Sequence, residues 1–185
     1  MNTFWDYFCP LLAVGLVIGL LSGLRAFPFP KGKSKEDMAG DPTLLAGYKR
    51  KRLTALVIGA GVSIAAAAIW HGPLGAADRF VAQVQSNIRL SLTSWEMPQV
   101  SGQLHHGPLT RHVRLSGQAD EFQRGQLVGI INTVPGVRSV GWSDGGAGLP
   151  LIAEAAIASL LGFLFGLLLA YLVELHRRYN AQWNW

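Results

Sequence analysis

The chain is poor in cysteine and in charge. Its single cysteine, Cys9, excludes an internal disulfide framework and a cysteine-rich zinc site. No lipobox-like small residues precede it, so we expect no lipoprotein anchor at this position. Charged residues are only 15% of the 185 residues, against about a quarter in a typical soluble domain. With 50% hydrophobic residues, this deficit excludes an ordinary soluble enzyme and a disordered protein.

The missing charge reflects three apolar runs that contain no lysine or arginine. The first is Leu11–Leu24 with an aromatic approach from Phe4, the second is Leu53–Trp70, and the third extends from Leu149 to about Val173. Each is about as long as the ~30 Å hydrocarbon core of a bilayer is thick. The sequence therefore predicts an integral membrane protein with three transmembrane α-helices. Asp6 stands where a secretory signal would have basic residues, so we expect the first run to be a span.

The basic residues predict the orientation. Of the 16 Lys and Arg residues, eight lie between Arg25 and Arg52, and none precedes the first run. Because cytoplasmic loops are enriched in Lys and Arg, we expect the N-terminus outside and the C-terminus in the cytoplasm. The predicted segments are helix one within 1–25, a basic cytoplasmic loop 26–52, helix two at 53–70, an outer domain 71–148, helix three at 149–174 and an aromatic cytoplasmic tail 175–185.

Clusters of basic residues lie at the predicted inner ends of the spans. Net charge is +5, yet no nucleic-acid-binding fold accompanies these clusters, so we expect no nucleic-acid partner. Juxtamembrane Lys and Arg attract anionic lipid and fix topology. The residues interpreted as this anchor are Lys49, Arg50, Lys51, Arg52, Arg177 and Arg178.

Every span carries a stripe of small residues. Missing side chains let two helix backbones approach closely, which replaces the hydrophobic driving force that lipid removes. The double GxxxG repeat of the first span is the most specific of these stripes. Whether the stripes pack against one another or against another protein stays open. The predicted helix-packing residues are Gly15, Gly19, Gly23, Gly59, Gly61, Gly162 and Gly166.

The spans offer little intramembrane chemistry. Transporters and pumps place polar groups or broken helices in the membrane, whereas the only candidate here is Glu154, about one turn inside the third span. We interpret it as an interfacial carboxylate or a partner contact. The C-terminal Trp183 and Trp185 either lie at the inner interface or insert into a neighbouring protein.

Residues 76–143 are the part that can fold outside lipid. Apolar spacing predicts an amphipathic helix over Ala76–Leu92 and strand period predicts a strand over His112–Gly117. A turn is expected at Gly107-Pro108, within a stretch 95–111 that we expect to be mostly loop. A second helix follows the acidic residues at 120–121, and a final short strand includes Val140.

The segment 76–143 resembles the BON domain family, in which a strand ends in glycine, a helix follows, and a "vPGV..V" turn leads into the last strand. The resemblance covers roughly 76–143 and implies a small α/β sandwich of two helices on a short mixed sheet. It also implies a non-enzymatic role in bacterial envelopes and binding of phospholipid or another envelope component. The matched fold positions are Val113, Leu115, Gly117, Pro135, Gly136, Val137 and Val140.

No catalytic, cofactor or metal site is expected. Three histidines, His105, His106 and His112, have no standard ligand spacing, and no cysteine lies near them. We interpret them as solvated or interface residues. The chain has no nucleophile elbow, zinc-protease or P-loop motif.

Two functions follow from these observations. The first is a non-catalytic accessory subunit of a bacterial inner-membrane complex of respiratory or photosynthetic type, whose periplasmic BON-like domain docks other integral membrane subunits. The second is a stand-alone envelope protein whose BON-like domain binds phospholipid or another envelope component. The oligomeric state is open in both.

Overall fold

The computed structural model describes residues 3–28, 40–143 and 148–181. Helices and strands follow one another in the order helix, helix, helix, strand, strand, helix, strand, helix. Their bounds are α1 Thr3–Ala26, α2 Pro42–His71, α3 Ala76–Ser94, β1 Val100–His106, β2 Leu109–Gly117, α4 Glu121–Asn132, β3 Ser139–Gly141 and α5 Leu151–Ala181.

Three of these helices, α1, α2 and α5, are long and apolar enough to cross a membrane, with mean hydropathy of 2.1, 2.1 and 2.4 in their most apolar stretches. This confirms the prediction of three long apolar helices and fits a multi-pass membrane protein. The outward faces of these helices carry exposed Leu, Ile, Val and Phe side chains. Such side chains are stable in contact with lipid, which is as apolar as they are.

Helix α2 begins earlier than the predicted span. The basic stretch was expected to be loop as far as residue 52, but the helix begins at Pro42. Asp41 caps it, because its Oδ1 accepts hydrogen bonds from the backbone N–H groups of Thr43 (2.9 Å) and Leu44 (3.3 Å). Proline is favoured in the first turn of a helix. The basic cluster of residues 49–52 therefore lies on helix rather than on loop.

Helix α5 extends further than predicted. Its apolar part was expected to end near Val173 and to be followed by a tail, but the helix continues to Ala181. Glu174 pairs with Arg178 one turn later, with Nε and Oε1 3.0 Å apart, and i,i+4 pairs of this kind stabilise a helix end. Trp183 and Trp185 lie outside the described residues.

The chain divides into two compact units. The α/β unit comprises Met1–Pro10 and Ala68–Ala155, and the helical unit comprises Leu11–Ala67 and Ala156–Trp185. The α/β unit thus includes the first turns of α1, the last turn of α2 and the first turn of α5, as well as everything between α2 and α5.

The α/β unit has a three-stranded mixed sheet in the order β1-β2-β3. Strands β1 and β2 form an antiparallel hairpin, and β2 and β3 are parallel, with Val113 opposite Val140. Helix α4 makes the crossover between the parallel strands, as such a connection requires. Its N-terminus is fixed by a capping box between Asp120 and Gln123.

The core of the α/β unit lies between the helices and the sheet. Helix α3 points one residue per turn into it, at Phe80, Val84, Ile88 and Leu92, each at most 4% exposed. Helix α4 adds Leu127 and Ile131, and the sheet adds Val100, Leu104, Val113 and Leu115. Both predicted helices and the β2 strand are present at the expected places.

Strand β1 was not predicted, because residues 95–111 were expected to be mostly loop. Its inward positions are Val100, Gly102 and Leu104, so the apolar alternation is interrupted by the glycine between them. A Cβ atom at Gly102 would lie 2.8 Å from Cγ2 of Ile88. The packing of α3 against β1 therefore requires glycine at position 102. The same glycine interrupts the apolar alternation that would have predicted a strand.

Candidate functional site

Arg111, Arg138 and Glu154 form a polar cluster in the α/β unit. Arg111 lies on β2, Arg138 just before β3, and Glu154 in the first turn of α5. Arg111 Nη1 lies 3.0 Å from Glu154 Oε2, and Arg138 Nη1 lies 2.7 Å from Oε1. Both carboxylate oxygens are thus occupied by charge-assisted hydrogen bonds. The two strands of the parallel pair are thereby connected to α5.

The Arg111 side chain makes further contacts besides the one with Glu154. Its Nε donates to the carbonyl oxygen of Gly136 at 2.9 Å. Its guanidinium lies over the rings of Phe4 and Phe8 of α1, 4.9 and 5.8 Å from their centroids, within cation–π range. The Arg111 side chain is 15% exposed and that of Glu154 is 10% exposed, so the pair is largely removed from solvent.

A second set of contacts connects the first turns of α1 to α2 and α3 within the α/β unit. The Tyr7 hydroxyl lies 2.7 Å from His71 Nδ1, and the Trp70 indole donates to the Tyr7 carbonyl oxygen at 3.1 Å. The Tyr7 ring packs against Phe80 of the core, with centroids 5.2 Å apart. These contacts and the arginine cluster attach the sheet and its helices to the ends of all three long helices.

Glu154 was predicted to be an interfacial carboxylate or a partner contact. The structure pairs it with two arginines of its own chain. Since both oxygens accept from a guanidinium, this carboxylate holds β2, the segment before β3 and α5 together. This pairing could not be predicted from local pattern, because Arg111 and Arg138 lie 43 and 16 residues from Glu154 along the chain.

The predicted packing glycines lie in the helical unit, where α1 and α5 approach through their backbones. A Cβ atom on Gly15 or Gly19 would collide with the carbonyl oxygen of Ser159 or Phe163, respectively. The same holds in the other direction for Gly162 and Gly166, which face Leu12 and Leu16. Gly23 faces the Ala170 methyl group. The stripes of α1 and α5 therefore pack against each other within this chain.

Helix α2 joins this contact through Gly59, where a Cβ atom would lie 2.7 Å from the Phe163 ring. One turn on, the Ser159 hydroxyl donates to the Ser63 carbonyl oxygen at 2.9 Å, with both residues fully buried. Gly61, also predicted to pack, makes no such approach within this chain, because a Cβ atom there would meet nothing within 4 Å. It lies on an open face of α2.

The predicted basic anchor lies on two helices of the helical unit, residues 49–52 on α2 and Arg177 and Arg178 on α5. Phe27, just after α1, joins both helices. Its carbonyl oxygen accepts from Tyr48 at 3.2 Å and from Arg178 at 2.9 Å. Its ring lies between the Arg52 guanidinium, 5.2 Å from the centroid, and the ring of Tyr171.

The matched BON-like positions are core and turn positions of the α/β unit. Val113 and Leu115 are at most 1% exposed, and Val137 is buried. Gly117 and Gly136 have φ of +130° and +100°, values that favour glycine. Pro135 is exposed beside the turn, and Val140 pairs with Val113.

The three histidines do not converge. His105 Nδ1 lies 2.9 Å from the Pro108 carbonyl oxygen at the hairpin turn, and His106 is exposed beside it. His112 is buried in β2 with Nδ1 2.9 Å from Ser139 Oγ. Among the described residues, no group of three or more His, Cys, Asp or Glu side chains is arranged to hold a metal ion.

Comparisons of the chain with models of protein families, with curated proteins and with solved structures find no match. The BON resemblance therefore stays a prediction that depends on the residues quoted for it.

Proposed function

We propose that the protein is a non-catalytic accessory subunit of a bacterial inner-membrane complex of respiratory or photosynthetic type. Its three spans anchor a BON-like α/β domain that docks other integral membrane subunits from the periplasmic side. The arrangement of two helices on a short mixed sheet supports the BON assignment, and the concentration of basic residues before the second span supports an orientation with both N-terminus and domain outside.

The observation that carries the proposal is the cluster of Arg111, Arg138 and Glu154. It fixes the sheet on the end of α5, and Phe4 and Phe8 of α1 cover Arg111. A docking surface whose strands and helix ends are already fixed to one another loses less conformational freedom on association than a loosely packed one does.

The glycine stripes do not carry this proposal. Because α1 and α5 use them against each other, contact with other subunits is left to other surfaces, among them the exposed apolar faces of the spans and the surface of the α/β unit. Two large side chains of that surface, Phe122 on α4 and Leu90 on α3, are 75% and 66% exposed. Neither contributes to the core, so both can be changed without loss of folding.

The test is to tag the full chain in its native membrane, extract it in mild detergent and identify by native sizing and mass spectrometry what migrates with it. The proposal requires other membrane subunits at fixed stoichiometry. Phe122→Ser and Leu90→Ser, compared as matched exposed variants, then show which face docks. If the chain migrates alone or as a homo-oligomer, the accessory role is wrong, and the stand-alone lipid-binding function becomes the leading account.

The orientation has its own test, because the chain has one cysteine to remove. On a Cys9→Ser background, Gln126→Cys on α4 and Ala46→Cys on α2 introduce one exposed thiol each. A membrane-impermeant maleimide added to intact spheroplasts should label Gln126→Cys and leave Ala46→Cys unlabelled until the membrane is opened. The reverse pattern would overturn the proposed orientation.

A further inference from the structure

A groove in the helical unit lies beside the basic cluster, between the end of α1 and the first turns of α2. Its volume is about 500 Å³, in the range of small-ligand sites. Residues on its α1 side are Leu24, Arg25 and Ala26, with Pro28 following, and those on its α2 side are Thr43, Leu44, Gly47, Tyr48, Lys51 and Arg52.

The groove combines cationic and apolar groups. Arg25, Lys51 and Arg52 are basic, and none of the described residues that line it is acidic. Leu24 and Leu44 are 41% and 37% exposed, so part of their apolar surface is uncovered. A ligand that satisfies both features has an anionic head and a hydrocarbon chain.

The position of the groove along α2 matches the depth of a headgroup. Helix α2 has 30 residues and is therefore about 45 Å long, against a hydrocarbon core of ~30 Å. The apolar run Leu53–Trp70 fills that core, so the turns from Pro42 to Arg52 extend beyond it. Arg25 and Lys51, just beyond the two apolar runs, are at the depth of lipid phosphates. Leu24, the last residue of the first run, is at the depth of the upper acyl chains.

The shape of the groove is fixed by contacts within the chain. Tyr48 donates to the Phe27 carbonyl oxygen, and Arg52 lies over the Phe27 ring, so the segment after α1 is fastened to α2. The absence of a side chain at Gly47 leaves the α2 wall open, since a Cβ atom there would meet nothing within 4 Å.

We propose that this groove holds one anionic phospholipid, with its phosphate between Arg25 and Lys51 and an acyl chain along Leu24. The inference adds a specific lipid site to the diffuse attraction expected of a basic cluster. It depends on membrane insertion and not on the accessory role, so the two can fail separately.

The experiment uses the full chain reconstituted in nanodiscs of phosphatidylcholine with a fixed fraction of phosphatidylglycerol, released into the gas phase and measured by native mass spectrometry. The wild type should retain one phosphatidylglycerol in preference to phosphatidylcholine. The double variant Arg25→Gln/Lys51→Gln should weaken that retention about ten-fold or more, because two phosphate contacts are lost.

The matched charge control is Lys49→Gln/Arg50→Gln, which removes the same charge from neighbouring positions that do not line the groove. It should keep most of the bound lipid. Equal loss in both double variants would overturn the proposal in favour of diffuse attraction, and so would equal retention of phosphatidylcholine. Glycerol phosphate added in excess should not displace the lipid, since it lacks the acyl chain, and displacement would overturn the lipid assignment.

A second pair of variants tests the groove itself. Gly47→Trp fills it without meeting any neighbour at the Cβ position, and Gly61→Trp makes the same change on an equally open face of the same helix. The first should abolish lipid retention and the second should leave it unchanged. If Gly47→Trp retains the lipid, the site lies elsewhere.

Discussion

The two units of this molecule have opposite interiors. The α/β unit buries large side chains such as Phe80, Ile88 and Ile131, as a domain in water does. The helical unit buries small residues, among them Gly59, Ser63 and Ala67 of α2, and leaves Leu, Ile, Val and Phe exposed. In water, burial of apolar area drives packing. In lipid this drive is absent, so backbone proximity replaces it.

Polar groups differ in the same way. The α/β unit holds ionised side chains together, with Glu154 between two arginines. The interior of the helical unit uses hydroxyl and carbonyl groups, as in the bond from Ser159 to Ser63. Charge is tolerable where water or another charge is near and costly inside a bilayer. The comparison therefore predicts that identical substitutions have unequal effects in the two units.

The largest difference is expected for isoleucine. Ile88→Ala removes a side chain that is 1% exposed in the α/β core and should destabilise that unit by about 3–4 kcal/mol. Ile58→Ala makes the same change at a position 60% exposed on α2 and should cost less than about 0.5 kcal/mol, because lipid replaces the lost contacts. Pulse proteolysis of the full chain in detergent measures both. Equal losses would show that the outward face of α2 is buried against something.

Glycine should give the next largest effect. Gly19→Leu places a side chain where the Phe163 backbone lies, and the helices must separate, at a cost of about 3 kcal/mol. Gly61→Leu on α2 meets open space and should be nearly neutral. Unfolding by sodium dodecyl sulfate, followed by circular dichroism, compares them. Because the stripe is filled within the chain, the Gly19→Leu defect should persist in the purified protein; a defect seen only in the native assembly would contradict this packing.

Several features of the fold could be predicted because they depend on local pattern. The three long helices follow from apolar run length, and α4 follows from acidic residues at its start and a Pro-Gly stop at its end. Strand β1 could not be predicted, because Gly102 interrupts the alternation that marks a strand. That glycine is required by Ile88, a residue on another element, so the cause is tertiary.

A capping motif indicates the early start of α2, although the hydropathy of the sequence does not. Asp41 before Pro42 is a capping residue followed by a favoured first helical residue. The arginine cluster had no comparable signal, since its members come from β2, the turn before β3 and α5. The parallel register pairs Val113 with Val140 and so brings Arg111 and Arg138, each two residues earlier, beside each other.

The arginine cluster should respond unequally to loss of its members. Glu154→Gln leaves the largely buried Arg111 with a neutral partner and should cost about 2 kcal/mol. Arg138→Gln removes a side chain that is 54% exposed, and solvent screening limits its loss to about 0.5 kcal/mol. Hydrogen–deuterium exchange of the β2 amides reports both. A larger loss for Arg138→Gln would mean that Arg111 is not the main partner of Glu154.

The smallest predicted effect tests the polar interior of the helical unit. Ser159→Ala removes a buried hydroxyl that donates to the Ser63 carbonyl oxygen, and should cost about 0.6 kcal/mol, the average for such bonds in membrane helices. Ser63→Ala removes a buried hydroxyl that has no hydrogen-bond partner among the described residues, so it should be neutral or slightly stabilising. Each change in unfolding free energy is small, so the two variants are compared with each other in the same dodecyl sulfate titration. A clear loss of stability in Ser63→Ala would contradict this prediction. It would mean that the Ser63 hydroxyl has a hydrogen-bond partner in the membrane, such as a water molecule in the interior of the helical unit.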